Sequence, residues 1–143
     1  MAKLIKNRIT FESGGYRFDF EFRYGITVVF GDSGSGKSLF YRKLSSLVLA
    51  KGFTDYRLLN YKSLLTSSIL NTLTENGKVI VIDNADIVLK DIVDVQNLLR
   101  ESSSQFIIMG RRTDWYNAHS YNCANVIEEN KEYKLLYLFD TNK

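Results

Sequence analysis

The stretch Gly31-Asp32-Ser33-Gly34-Ser35-Gly36-Lys37-Ser38 limits this chain more than any other feature. It fits the spacing G-x-x-x-x-G-K-[ST]. It also stands in the required context, after the apolar run Ile26–Phe30 and before an amphipathic segment that starts at Lys37. Glycines allow the backbone to turn tightly around an anion with no Cβ in the way. Successive N–H groups then converge on that anion, and the following helix adds its positive dipole end. The reading is a phosphate cradle from Gly31 to Leu39. Lys37 is expected between the β- and γ-phosphates, and the Ser38 hydroxyl on Mg²⁺.

Around this loop, strand and helix signals alternate. Leu4–Phe11 and Tyr16–Arg23 read as strands joined at Ser13-Gly14-Gly15. In the second, Phe18, Phe20 and Phe22 alternate with Arg17, Asp19, Glu21 and Arg23, so one face is buried. Lys37–Ala50 reads as a helix with Phe40, Leu44, Leu47 and Val48 on one side and Gly52 at its end. A short strand at Tyr56–Asn60, a helix at Lys62–Thr74 and a buried strand at Lys78–Ile82 follow. A third helix carries Val88, Ile92, Val95 and Leu99 in register, ahead of a strand at Gln105–Met109. Val126–Glu129 and Tyr133–Phe139 form a closing hairpin around Asn130-Lys131. This alternation predicts an α/β fold: a three-layer sandwich with a mostly parallel central sheet and antiparallel strands at both ends. It is expected to be one domain over 1–143, with an N-terminal hairpin (1–25), a nucleotide-binding core (26–112) and a C-terminal hairpin (120–143).

A second candidate is Asp83, at the end of Val79-Ile80-Val81-Ile82. A carboxylate at the tip of a parallel strand next to the loop's strand can hold the hydration shell of Mg²⁺ opposite Ser38. The rival reading is a helix cap; next to the P-loop the metal role is favoured for Asp83, while Asn84 and Asp86 stand between capping and chemistry. Asp86 is the one nearby carboxylate available to orient a water. Arg111, just past a core strand, is placed to meet a γ-phosphate or to be a solvated surface cation with its neighbour Arg112.

Composition narrows the rest. With 19 Lys and Arg against 16 Asp and Glu in 143 residues, the formal charge is +3. No basic run exceeds Arg111-Arg112, which argues against a nucleic-acid partner. The single cysteine, Cys123, excludes an intramolecular disulfide, and it and the single histidine, His119, read as structural residues. No apolar run reaches the roughly 18 residues of a membrane span, and no signal peptide is read. A cytoplasmic setting is expected.

On the P-loop, Val79–Asp86 and the strand ending at Arg111, the sequence resembles a P-loop NTPase of the additional-strand division, which holds ABC-type and AAA-type ATPases. The resemblance implies ATP or another NTP with Mg²⁺ as ligands; Tyr16 or Phe11 either stacks on the base, as an aromatic does in ABC relatives, or, as is more common, packs in the core or on the sheet face. Trp115 and Tyr116 either cover the site or pack a helix. The departures are specific. Asn84 stands where ABC relatives carry the water-polarising glutamate, and Arg111 where they carry a histidine. No L-S-G-G-Q-like segment exists, and there is no room for a helical domain between Lys37 and Asp83. The expectation is a minimal NTPase whose hydrolysis is weak or depends on a protein partner, and a monomer or weak dimer. The rival readings are a small-molecule or nucleoside kinase and a non-hydrolysing, nucleotide-gated interaction module.

Overall fold

The computed structural model describes residues 2–31, 36–62, 66–110 and 122–138. In chain order the strands are β1 (Arg8–Ser13), β2 (Tyr16–Glu21), β3 (Ile26–Phe30), β4 (Tyr56–Leu59), β5 (Val79–Ile82), β6 (Gln105–Gly110), β7 (Cys123–Glu129) and β8 (Glu132–Tyr137). The helices are α1 (Lys37–Lys51), α2 (Thr66–Leu73), α3 (Ala85–Val88) and α4 (Val95–Glu101). All eight strands join one sheet in the order β1-β2-β8-β7-β3-β6-β5-β4. It is mixed: β1/β2 and β7/β8 pair antiparallel, while β2/β8, β3/β7, β3/β6, β5/β6 and β4/β5 pair parallel.

The expected three-layer sandwich with a mostly parallel sheet is not what forms. The sheet is strongly curled, a half-barrel with few helices. The curl has a packing cause. Phe18, Phe20 and Phe22 from one end, and Val79, Val81, Ile107 and Met109 from the other, join Phe40, Tyr41 and Leu44 of α1 in one buried cluster. The Phe20 and Phe40 rings stack with centroids 4.2 Å apart. A flat sheet cannot bring strands so distant in order onto one helix, so the sheet wraps it. Among the described residues the outer face is covered only in part. Ile69 and Leu73 of α2, Val88 of α3 and Leu99 of α4 pack on β3, β5 and β6. Those helices span 8, 4 and 7 residues, too short to lay a continuous layer. Beyond them, β1, β2 and β8 face outward with ion pairs instead: Arg8–Asp19 at 2.7 Å and Arg17–Glu132 at 3.2 Å.

Three local expectations also shift. The first strand begins at Arg8, not Leu4, because the residues before it bond elsewhere. Ala2 N–H donates to Arg100 O, Lys3 N–H to Ser104 O, and Ile5 and Lys6 N–H to the Gln105 Oε1. This strap crosses Gly25 so closely that a Cβ there would lie 2.6 Å from the Ala2 carbonyl. The third helix is two pieces, α3 and α4, broken before Asp94, which sits at φ 56°. Val88, Ile92 and Leu99 are buried in either arrangement, so their spacing did not reveal the break. Finally, β5 is not beside β3: β6 lies between them.

Candidate functional site

The site is built at the C-terminal ends of β3 and β5, where loops of a parallel sheet leave room for ligands. β3 is buried over Ile26–Val29 and delivers the chain to Gly31. Gly36 then opens α1 as its N-cap, with φ 106° and no side-chain cap. A β-carbon cannot easily take that backbone shape, which is why glycine is required there. Gly36 O accepts the first helical bond, from Phe40 N–H at 2.9 Å. At its other end α1 stops at Gly52, also left-handed, whose N–H donates to Val48 O. Asp32, Ser33, Gly34 and Ser35 lie outside the described residues.

Lys37 is only 6% exposed, although it is a lysine. Its Nζ donates to Gly31 O at 2.6 Å, folding the ammonium back over the start of the loop. Ser38 is exposed, and its hydroxyl donates to Asp83 Oδ2 at 3.2 Å. Leu39 is half-buried against the aromatic core under α1. Thus Lys37 meets Gly31, and Ser38 meets Asp83.

Asp83 is 7% exposed. Its Oδ1 accepts from Asn84 N–H at 3.0 Å. Burial pushes its carboxyl above the ordinary range. The bonds from Asn84 and Ser38 and the charge of Lys37 pull it back, and the charge of Asp86 pushes it up again. Tyr41, one turn along α1 from Ser38, is pushed up to about 12 by burial and by the negative charge of Asp83. Two hard oxygen donors, the Ser38 hydroxyl and the Asp83 carboxylate, suit a magnesium ion that keeps its other positions for phosphate and water. Among the described residues no cluster of three or more His, Cys, Asp or Glu could hold a metal by itself.

Asn84, not Asp86, is the N-cap of α3, and it takes φ 52° without a side-chain cap bond. Asp86 lies inside the first turn, half-buried. Its charge is felt at Asp83, so the two carboxylates share one neighbourhood. Arg111, Arg112, Trp115, Tyr116 and His119 fall outside the described residues. Of the aromatics suggested for base stacking, Phe11 stacks on Phe18 at 4.9 Å and belongs to the core. Tyr16 is half-buried and meets Tyr133 at 5.7 Å. Cys123 is buried in the outer-face core, which pushes its thiol up and away from reactivity.

Tyr133 is a neighbour of the loop that sequence reasoning missed. A Cβ on Gly36 would lie 2.9 Å from its ring, so the last glycine of the loop rests directly on the C-terminal hairpin. The residues are far apart in the chain, and no local pattern links them.

Among the described residues no helix is long and apolar enough to cross a membrane. No curated protein matches the chain. The family model described as Novel STAND NTPase 5 matches residues 6–122, a span that holds both the Gly31–Ser38 loop and Asp83. With most of its length matched, including Gly31, Lys37, Ser38 and Asp83, the chain belongs to the Novel STAND NTPase 5 family.

Proposed function

We propose that the chain binds ATP, or another nucleoside triphosphate, together with Mg²⁺, and that 26–112 is the nucleotide-binding core between two hairpins. The observation that carries this is the meeting of Ser38 and Asp83 beside the buried ammonium of Lys37. Lys37 reaches phosphate oxygens when it leaves Gly31 O. Ser38 and Asp83 would hold the Mg²⁺, which would supply positive charge at the phosphates. In an in-line attack by water, the ammonium of Lys37 would offset charge that develops on the γ-phosphoryl group. The insertion of β6 between β3 and β5 fits the additional-strand division of these enzymes.

Hydrolysis by this chain alone is slow in this reading. Asn84 supports that: an amide can hydrogen-bond water but cannot accept its proton. A protein partner then either supplies the missing group or reads the nucleotide-bound state without turnover. Calorimetric titration with Mg·ATP tests the core of the proposal. Lys37→Ala should weaken binding by about 2–4 kcal/mol, the scale of losing one member of a buried charge pair. Equal affinity in the mutant overturns it. Phosphate release with and without candidate hydroxyl acceptors separates an NTPase from a kinase.

A further inference from the structure

Gly36 is held from outside its own segment. Built onto it, a Cβ would stand 2.9 Å from Tyr133 Cδ1 and Cε1 and 3.2 Å from Val126 Cγ1. Both side chains belong to the β7/β8 hairpin, where Tyr133 pairs with Glu128 across the strands. The Tyr133 ring is fixed in turn. It stacks on Phe18 with centroids 5.0 Å apart and planes at 13°. Phe18 is fully buried and lies 5.9 Å from Phe40 of α1. Hairpin, β2 and helix thus share one aromatic stack, and its free end faces the glycine from which Lys37 and Ser38 depart.

We propose that Tyr133 is a positioning residue of the phosphate site. Its flat ring against Gly36 fixes the point at which loop becomes helix, and with it the directions of Lys37 and Ser38. The proposal rests on the nucleotide-binding reading above. Groups that meet a ligand must be held within about 0.5 Å by neighbours that are themselves locked by packing. Gly36 has no side chain to lock and no side-chain cap. Among the described residues, the closest atoms to its missing Cβ are those of Tyr133 and Val126. A consequence is coupling: a displacement of β8 reaches Lys37 through one glycine.

The test is titration of the full chain with Mg·ADP, alongside thermal unfolding without nucleotide. Tyr133→Phe, which keeps the ring, should bind within about twofold of wild type. Tyr133→Leu should weaken binding roughly ten- to hundredfold, the effect of a small misplacement of a contact group. Leu135→Ala is the control for simple loss of packing, since Leu135 lies partly buried on the same strand against the same core. It should lower the melting temperature and leave affinity unchanged. A readout without nucleotide is amide exchange at Phe40, whose N–H bonds to Gly36 O. In Tyr133→Leu it should quicken relative to Leu44. Wild-type affinity in Tyr133→Leu, an equal loss in Leu135→Ala, or unchanged exchange at Phe40 overturns the proposal. If wild type bound no nucleotide, the reading beneath would fall, while exchange at Phe40 would still judge whether Tyr133 holds Gly36.

Discussion

The Ser38 hydroxyl donates to Asp83 Oδ2 over 3.2 Å, joining the first turn of α1 to the tip of β5 across 45 residues of chain. Asp83, for which helix capping was the rival reading, is not the N-cap of α3, which is Asn84. The pair separates metal-dependent from metal-independent nucleotide affinity. Ser38→Ala should reduce affinity for Mg·ATP roughly tenfold or more, the scale seen when a group supporting a bound ion is lost. Affinity measured with a chelator present should stay at the wild-type value. Equal losses with and without Mg²⁺ would contradict the metal role.

Asp83 also makes a prediction about stability. Burial raises its carboxyl above the unfolded value in the nucleotide-free protein. A raised carboxyl favours folding while protonated. That contribution is complete below the unfolded value and is lost as pH rises through the folded one. At neutral pH the ionised, buried Asp83 therefore works against the fold. Asp83→Asn keeps the acceptor for Asn84 N–H and removes the charge. It should raise the melting temperature at pH 7 by about 2–4 °C, the shift of roughly 1 kcal/mol in a chain this long. The gain should fade toward acid pH, where Asp83 itself becomes neutral. A melting temperature unchanged at pH 7 would show that the carboxylate is better solvated than its burial implies.

Two left-handed glycines bound α1, and they should respond differently to alanine. At Gly52 the φ is 67° and nothing lies within 4 Å of an added Cβ. Gly52→Ala should cost about 1 kcal/mol, the backbone penalty alone. At Gly36 the φ is 106° and the added carbon would strike Tyr133 at 2.9 Å. Gly36→Ala should cost about 1–3 kcal/mol for the backbone, with the collision on top. Chemical denaturation of both variants checks the order. Equal losses would mean that the Tyr133 ring moves aside freely.

What the sequence disclosed follows from how local each determinant is. Gly31 to Ser38 lies in one run of chain, so the strand, the loop and the helix could be read together. Asp83 was legible because its strand is four apolar residues with a carboxylate at the tip. The curl was not legible. It depends on Phe20 stacking on Phe40 while Val81 and Met109 join the same buried cluster, and period-two alternation assigns faces without assigning curvature. The place of β6 between β3 and β5 was hidden for a related reason, since chain order does not fix sheet order. The contact of Tyr133 with Gly36 exists only after β8 has paired with β2, which no window of sequence contains.

The last prediction concerns turnover, and the backbone at Asn84 decides its form. Asn84 holds φ 52°, a conformation that asparagine tolerates and glutamate does not favour. Asn84→Glu would place a carboxylate beside the Ser38–Asp83 pair, where a base is missing. It should raise phosphate release while lowering stability by about 1 kcal/mol, the usual penalty for that backbone shape. The unmodified chain should turn over more slowly than about 1 s⁻¹, below the usual enzyme range. The candidate to orient the water is Asp86, which sits in the first turn of α3 and whose charge raises the Asp83 carboxyl. Since Asn84 occupies the cap position, Asp86 is not needed as a cap. Asp86→Asn removes a favourable dipole contact worth about 0.3–1 kcal/mol and also relieves the repulsion from Asp83, so folding should change little. If Asp86 orients the water, the same substitution should lower phosphate release by about 10²-fold or more. Steady-state phosphate release at saturating Mg·ATP, with melting temperatures taken in parallel, makes the measurement. Full turnover in Asp86→Asn would remove Asp86 from the mechanism and leave water orientation to a group outside the described residues or to a partner.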